Sequence, residues 1–281
     1  MTDVLVFSLI VGIAVGFSAG YLGSIMVLEK MALVGDALSH VALPGVALGY
    51  LFHFNPFIGA FAFLFVSTIA IWHLRRATKL SFDTLVGATF TLALAIGILI
   101  VPEQDLLEAL FGDITKVGLI DAILGVGISI IVFSLTTIIY KKIVLSLISE
   151  ELATSNGINV ARINLLYLLL VSLTVAIGIK ITGTLLVGFL VVTPAAAAKI
   201  ISSNLSRYLK LSALFGAISA TTGILLASFI NLPNLPPGPL IILTGILIFP
   251  LKRRDIVTFL IGRLIWPSKA YIDAGNSFQN F

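Results

Sequence analysis

Apolar runs long enough to cross a bilayer recur along almost the whole chain, at roughly 4–27, 31–52, 56–74, 84–102, 119–140, 163–180, 182–202, 209–230 and 238–251. A hydrocarbon layer about 30 Å thick takes about 20 residues of apolar helix, and the first eight runs have about that length. The ninth, within "PPGPLIILTGILIFPL", is short and broken by prolines. Lipid offers no partner for backbone N–H and C=O groups, so runs of this kind must close their hydrogen bonds within themselves, as helices. Composition agrees: 59% of residues are hydrophobic and 11% charged, against about 25% charged in a soluble domain. The chain reads as an all-α polytopic membrane protein, a bundle of about nine transmembrane helices. No Pro/Gly/Ser linker divides it. We expect one transmembrane domain over 1–251 and a tail over 252–281.

Positive charge orients the bundle. With the N-terminus outside and the C-terminus cytoplasmic, 15 of the 17 Lys and Arg residues fall on the cytoplasmic side, from Lys30, Arg75 and Arg76 to Arg253, Arg254, Arg263 and Lys269. The opposite orientation breaks the positive-inside tendency. Glu103, Asp105, Glu108 and Asp113 then share one external loop. Lys116 and Lys180 are the two exceptions, and Lys180 is expected to snorkel to the external surface. The net charge of +4 therefore reflects membrane topology, and nucleic acid is not an expected partner. The chain has no cysteine, which excludes disulfides, thiolate metal sites and Cys nucleophiles. "MTDVLVFSLIVG" carries an acid and no basic n-region, so it reads as a retained first span. The expected location is the cell membrane, with multiple passes.

Against this background "MALVGDALSHVALPGVALGYLF" (31–52) is anomalous, because Asp36 and His40 lie inside a span. At i, i+4 they share one helix face, about 6 Å apart. Measured from Lys30, they lie about 10 and 15 Å into the membrane. A carboxylate at a span's centre costs about 2.5–3.5 kcal/mol even on the lenient insertion scale, so it should face protein or water. Carboxylate plus imidazole also suits a divalent first-row metal. The bland alternative is an Asp–His hydrogen bond that only fixes the helix. Ser39 and Pro44 stand beside the pair; Pro44 removes the helix bond to the His40 carbonyl. That bends the helix or leaves a carbonyl to line a cavity.

Three further features are structural or regulatory in kind. Gly12, Gly16 and Gly20 run along one face of the first span, which reads as close packing within the chain, with a dimer contact as the alternative. Thr193 and Pro194 in "VVTPAAAAKI" permit a bend and close approach. The polar stretch 141–162, "KKIVLSLISEELATSNGINVAR", is a cytoplasmic loop in which "EELATSNGINV" reads as a short helix stopped at Asn156-Gly157. In the tail, "DIVTFLIGRLIW" reads as a cytosolic or an interfacial amphipathic helix. His53 and His73 lie near span ends, where water reaches them. No HExxH, GxSxG or Walker A motif is present. The chain is therefore not expected to be an enzyme or to hold ATP itself.

"YLGSIMVLEKMALVGDALSHVALPGVALGYLF" resembles the signature of permease subunits of metal-type ABC transporters, those for zinc, manganese or iron. There "GxxGxxxVLRRM" precedes "GDALSHxxLPGVAL"; here Glu29-Lys30 replaces the basic pair. "LEALFGDI" (107–114), "EELATSNGINV" (150–160), "GTLLVGFLVVTPAAAAKI" (183–200) and "NLPPGPLIIL" (234–243) extend the likeness, in order, over nearly the whole chain. The resemblance implies an importer permease working as a homodimer, with two cytoplasmic ATP-binding subunits and an extracytoplasmic metal-binding protein as partners. It implies Asp36 and His40 as the metal positions, and Glu150, Glu151, Leu152, Ala153 and Gly157 as the segment that couples to the ATPase. No cofactor is bound permanently; the metal ion (Zn, Mn or Fe) is cargo. Three rivals remain. A vitamin- or siderophore-type permease needs a wide cavity and no midplane Asp–His pair. A secondary metal transporter that needs no ATPase should show inverted repeats. A membrane hydrolase lacks a recognisable nucleophile here.

Overall fold

The computed structural model describes residues 2–78, 80–100, 117–182, 184–230 and 237–247. Every regular element among them is a helix: α1 (Thr2–Leu28), α2 (Ala32–Val41), α3 (Leu43–Leu51), α4 (Pro56–Thr78), α5 (Phe82–Ile100), α6 (Leu119–Ile148), α7 (Glu150–Ser155), α8 (Val160–Thr182), α9 (Thr184–Ile201), α10 (Leu205–Ile230) and α11 (Pro237–Leu247). Seven stretches are long and apolar enough to cross a membrane, with α2 and α3 together forming one of them. The shorter apolar helices α9 and α11 occupy the last-but-two and last of the nine runs. The acidic loop, Lys79, Lys116, "LEALFGDI", the beginning of "NLPPGPLIIL" and the tail lie outside the described residues, as does the side chain of Lys180.

Local chemistry sets the helix limits. Asn55 accepts from the Phe57 N–H at 2.9 Å, with Pro56 opening α4, the preferred cap and first-turn residues. Ser81, Ser149, Asn159 and Asn204 cap α5, α7, α8 and α10 in the same way, at 2.8–3.2 Å. α1 stops where Lys30 turns to φ 61° and the Met31 N–H bonds back to the Met26 carbonyl at 2.9 Å. That is the six-to-one closure of a Schellman ending, in a position usually held by glycine.

Two boundaries depart from the sequence reading. The run 31–52 divides at Ala42, where the Ala42 N–H turns to the His40 carbonyl and Pro44 enters the first turn of α3. Proline is tolerated in a first turn and not in a helix interior, so the chain restarts its helix there. The stretch 141–148 is the end of α6, not loop. Its apolar residues keep helical spacing, with Ile143 fully buried while Lys141 and Lys142 face out.

α1 is the hub and packs against α6, α8, α9 and most extensively α10. Gly12, Gly16 and Gly20 face Ile224, Gly216 and Ser212 of α10; a Cβ on Gly16 would lie 2.5 Å from the Gly216 carbonyl oxygen. The Ser212 hydroxyl donates to the Gly20 carbonyl across this seam. Around the hub, α2 lies against α5 and α9, and α3 packs on α4. At the end of the bundle where α1 and α4 finish and α8 and α10 begin, Tyr208 donates to the Ser24 carbonyl at 3.0 Å. There too the Trp72 indole donates to the Ala161 carbonyl at 3.0 Å, and Arg76 lies over the Trp72 ring. The chain order puts Lys30, Arg75, Arg76, Lys141, Lys142, Arg162, Lys199 and Arg207 at this one end.

Candidate functional site

α2 has two faces. Val34, Gly35, Leu38, Ser39 and Val41 are buried. On the opposite side Leu33 is 80% exposed, Asp36 is exposed and His40 is half-buried. The spacing 33, 36, 40 is one helical stripe, so the carboxylate stands on the outer surface of the single chain. Hydrocarbon does not solvate an outward carboxylate in this position.

The neighbours of the pair are specific. Ser39 turns inward and donates to the Asp36 carbonyl at 2.6 Å; it is fully buried and holds the backbone beneath the carboxylate. The His40 ring meets Phe90 of α5 edge to face, with centroids 5.5 Å apart. His40 Nδ1 is buried and has no hydrogen-bond partner among the described residues. On the other flank Gly188 of α9 lies directly against Asp36, and Gly35 packs on Val191. Pro194 is buried and Thr193 half-buried, one to two turns further along α9. Pro44 sits just past the α2–α3 junction.

Among the described residues no group of three or more His, Asp or Glu comes together. From this face the described residues of one chain therefore offer two such ligands, Asp36 and His40. Sequence reasoning named Asp36 and His40 and passed over Phe90 and Gly188. Phe90 has no sequence signal that marks it. Gly188 had one, a glycine in the middle of an apolar helical run, which signals close backbone approach.

The segment 149–158 lies at the basic end. Ser149 caps α7. The Gly157 N–H bonds to the Thr154 carbonyl at 2.9 Å and the Ile158 N–H to the Ala153 carbonyl at 3.0 Å, with Gly157 at φ 75°. Ala153 is fully buried and Leu152 is 53% exposed. Glu150 and Glu151 are exposed beside it. The helix presents acid and one leucine outward and is pinned by one alanine.

The fold and this sequence define a class of membrane transport subunit, and comparison with known proteins places it. Residues 1–252 match the ABC 3 transport family, and the chain belongs to that family. It is 33% identical over 246 residues to the manganese transport system membrane protein MntC of Listeria innocua, covering 86% of this chain and 87% of that one. It is 31% identical over 260 residues to the high-affinity zinc uptake system membrane protein ZnuB of Haemophilus influenzae, covering 90% and 97%. Among solved structures, PsaBC from Streptococcus pneumoniae in complex with Fab superposes with a TM-score of 0.75 at 30% identity, over 90% of this chain and 93% of that one. An inward-facing putative metal-chelate type ABC transporter shares the fold, with a TM-score of 0.73 at 17% identity. The chain is a multi-pass membrane protein of permease type.

Proposed function

We propose that this chain is the permease subunit of an ATP-driven importer of divalent metal ions, manganese or zinc, with Asp36 and His40 handling the ion. One observation carries the site: on a membrane span the Asp36 carboxylate faces outward from the single chain beside the half-buried His40, where only a second protein surface or water makes it tolerable. Two ligands do not hold a metal ion, and no third is near among the described residues. A second copy related by a two-fold axis along α2 supplies two more. Two carboxylates and two imidazoles suit Zn²⁺ directly, and Mn²⁺ or Fe²⁺ with added water. The relatives named for manganese and for zinc support that class of cargo.

The lone buried Nδ1 supports a weak site. A ligating histidine ordinarily donates its second ring N–H to an acceptor, which orients the ring and strengthens the ligand. His40 has Phe90 as its orienting neighbour and no such acceptor among the described residues. A site on a translocation path must release its ion, and a weakly supported imidazole serves that end.

Energy then comes from a separate ATP-binding chain. The basic end faces the cytoplasm by the positive-inside tendency, so α7, with Glu150, Glu151, Leu152, Ala153 and Gly157, is the docking segment within 141–162. Residues 1–251 form the permease domain, and a metal-loaded binding protein delivers the ion at the opposite end. In proteoliposomes carrying the complete importer, His40→Ala and Asp36→Asn are each expected to abolish ATP-dependent metal uptake and to leave assembly intact. Normal uptake by either variant overturns the site.

A further inference from the structure

We propose that Gly188 of α9 is a positioning and selectivity-determining residue for the ion, the missing side chain that lets the Asp36 carboxylate occupy its place. The inference rests on the assignment of Asp36 as an ion ligand. An ideal Cβ on Gly188 would lie 2.7 Å from Asp36 Cα and 2.8 Å from both Asp36 Cβ and Oδ1. Two of these three atoms are backbone or the first side-chain carbon, so rotating the carboxylate does not relieve the clash. Backbone must move, and α2 carries the carboxylate with it. Neither helix has slack. α2 is held on its inner side by Val34 and Leu38, each 1% exposed, and α9 by Val187, Leu190 and Val191, none more than 1% exposed. Closely packed interiors pass such a displacement on and do not absorb it.

Consequently the distance between the two helices, set at Gly188, sets how far Asp36 projects from the face it shares with His40. Ion size and coordination geometry respond to that projection. Zn²⁺ with four ligands at about 2.0–2.2 Å tolerates a different spread of donors from Mn²⁺, which favours more oxygens and retained water. α9 thus acts on the ion through Asp36, without a ligand of its own at this position.

Uptake of Mn²⁺ and of Zn²⁺ per assembled importer, measured side by side in proteoliposomes, tests this. Gly188→Ala is expected to lower uptake about tenfold or more, the range seen when groups that orient metal ligands are altered, and to do so unequally for the two ions, so that the Mn²⁺:Zn²⁺ uptake ratio shifts. Gly125→Ala of α6 is the control. Its Cβ would clash with the Val11 side chain of α1, so it disturbs packing at a contact that involves neither α2 nor α9. It is expected to leave the ratio unchanged. An unchanged ratio in Gly188→Ala, or an equal change in Gly125→Ala, overturns the proposal. Asp36→Asn is run beside them: normal uptake there removes the ion-ligand assignment itself, which is a separate failure. Should Gly188→Ala not assemble, Asp36→Glu is measured instead, which leaves Gly188 in place and extends the carboxylate by one methylene. A changed Mn²⁺:Zn²⁺ ratio supports the projection of the carboxylate as the selecting quantity, and an unchanged ratio overturns the proposal.

Discussion

Lys30 and Glu29 show how much one turn of backbone decides. Lys30 holds φ 61° at the C-terminus of α1, where any side chain except glycine's is disfavoured by about 1–2 kcal/mol. Lys30→Gly is therefore expected to raise stability by about 1 kcal/mol, read as a higher Tm in detergent. Beside it, burial pushes the Glu29 carboxyl from 4.5 up to about 7, with the Arg75 guanidinium pulling the other way. The folded state thus holds a proton that the unfolded state has lost. That contribution is complete below pH 4.5 and disappears as pH rises through about 7. A Tm that declines across this window in the native chain, and declines less in Glu29→Gln, is the expected result. Equal slopes in the two proteins would remove Glu29 from that role. At Asp36 and His40, the spacing was legible from sequence because i, i+4 fixes a shared face. Which way the face points was not, since both sides of α2 are flanked by apolar residues.

At the scale of elements, the stop at Asn156-Gly157 was the readable part. Like the caps at Asn55-Pro56 and Ser149, which the sequence reading passed over, it acts through bonds to residues two to four positions away, so local sequence suffices. The division of 31–52 at Ala42 and the extension of α6 to Ile148 were less legible. In a continuous apolar run, hydropathy says that a segment is buried in lipid and says little about where its helix breaks. α7 makes the sharpest element-level prediction. Gly157 needs a positive φ and uses its N–H, and proline permits neither. Gly157→Pro is expected to unravel the end of α7 and to abolish co-purification of the ATP-binding subunit, while the permease still folds. An unchanged complex counts against α7 as the docking element.

Over the whole molecule, α1 organises the packing. Its seam with α10 is backbone against backbone at Gly16 and Gly216, the close approach that small residues permit in membranes. Gly16→Val should destabilise by about 1–3 kcal/mol through overpacking, read as loss of monodisperse protein. The exposed stripe of Leu33 and Asp36 makes a prediction about assembly. The chain has no cysteine, so Leu33→Cys is expected to give a single disulfide-linked dimer on oxidation in membranes. Exclusively monomeric protein after oxidation would count against the proposed pairing of two copies along α2.

Taken by itself, the sequence determined that this is a helical membrane protein of many spans, which end carries the positive charge, and that one span holds an Asp–His pair. Hydropathy, charge and i, i+4 spacing are properties of neighbouring residues, and neighbours in sequence suffice to read them. Only the tertiary structure decided that α2 sits between α5 and α9, that Asp36 faces outward, that Phe90 meets His40 and that Gly188 touches Asp36. Those contacts join residues 50 to more than 150 positions apart, through packing that no local pattern encodes.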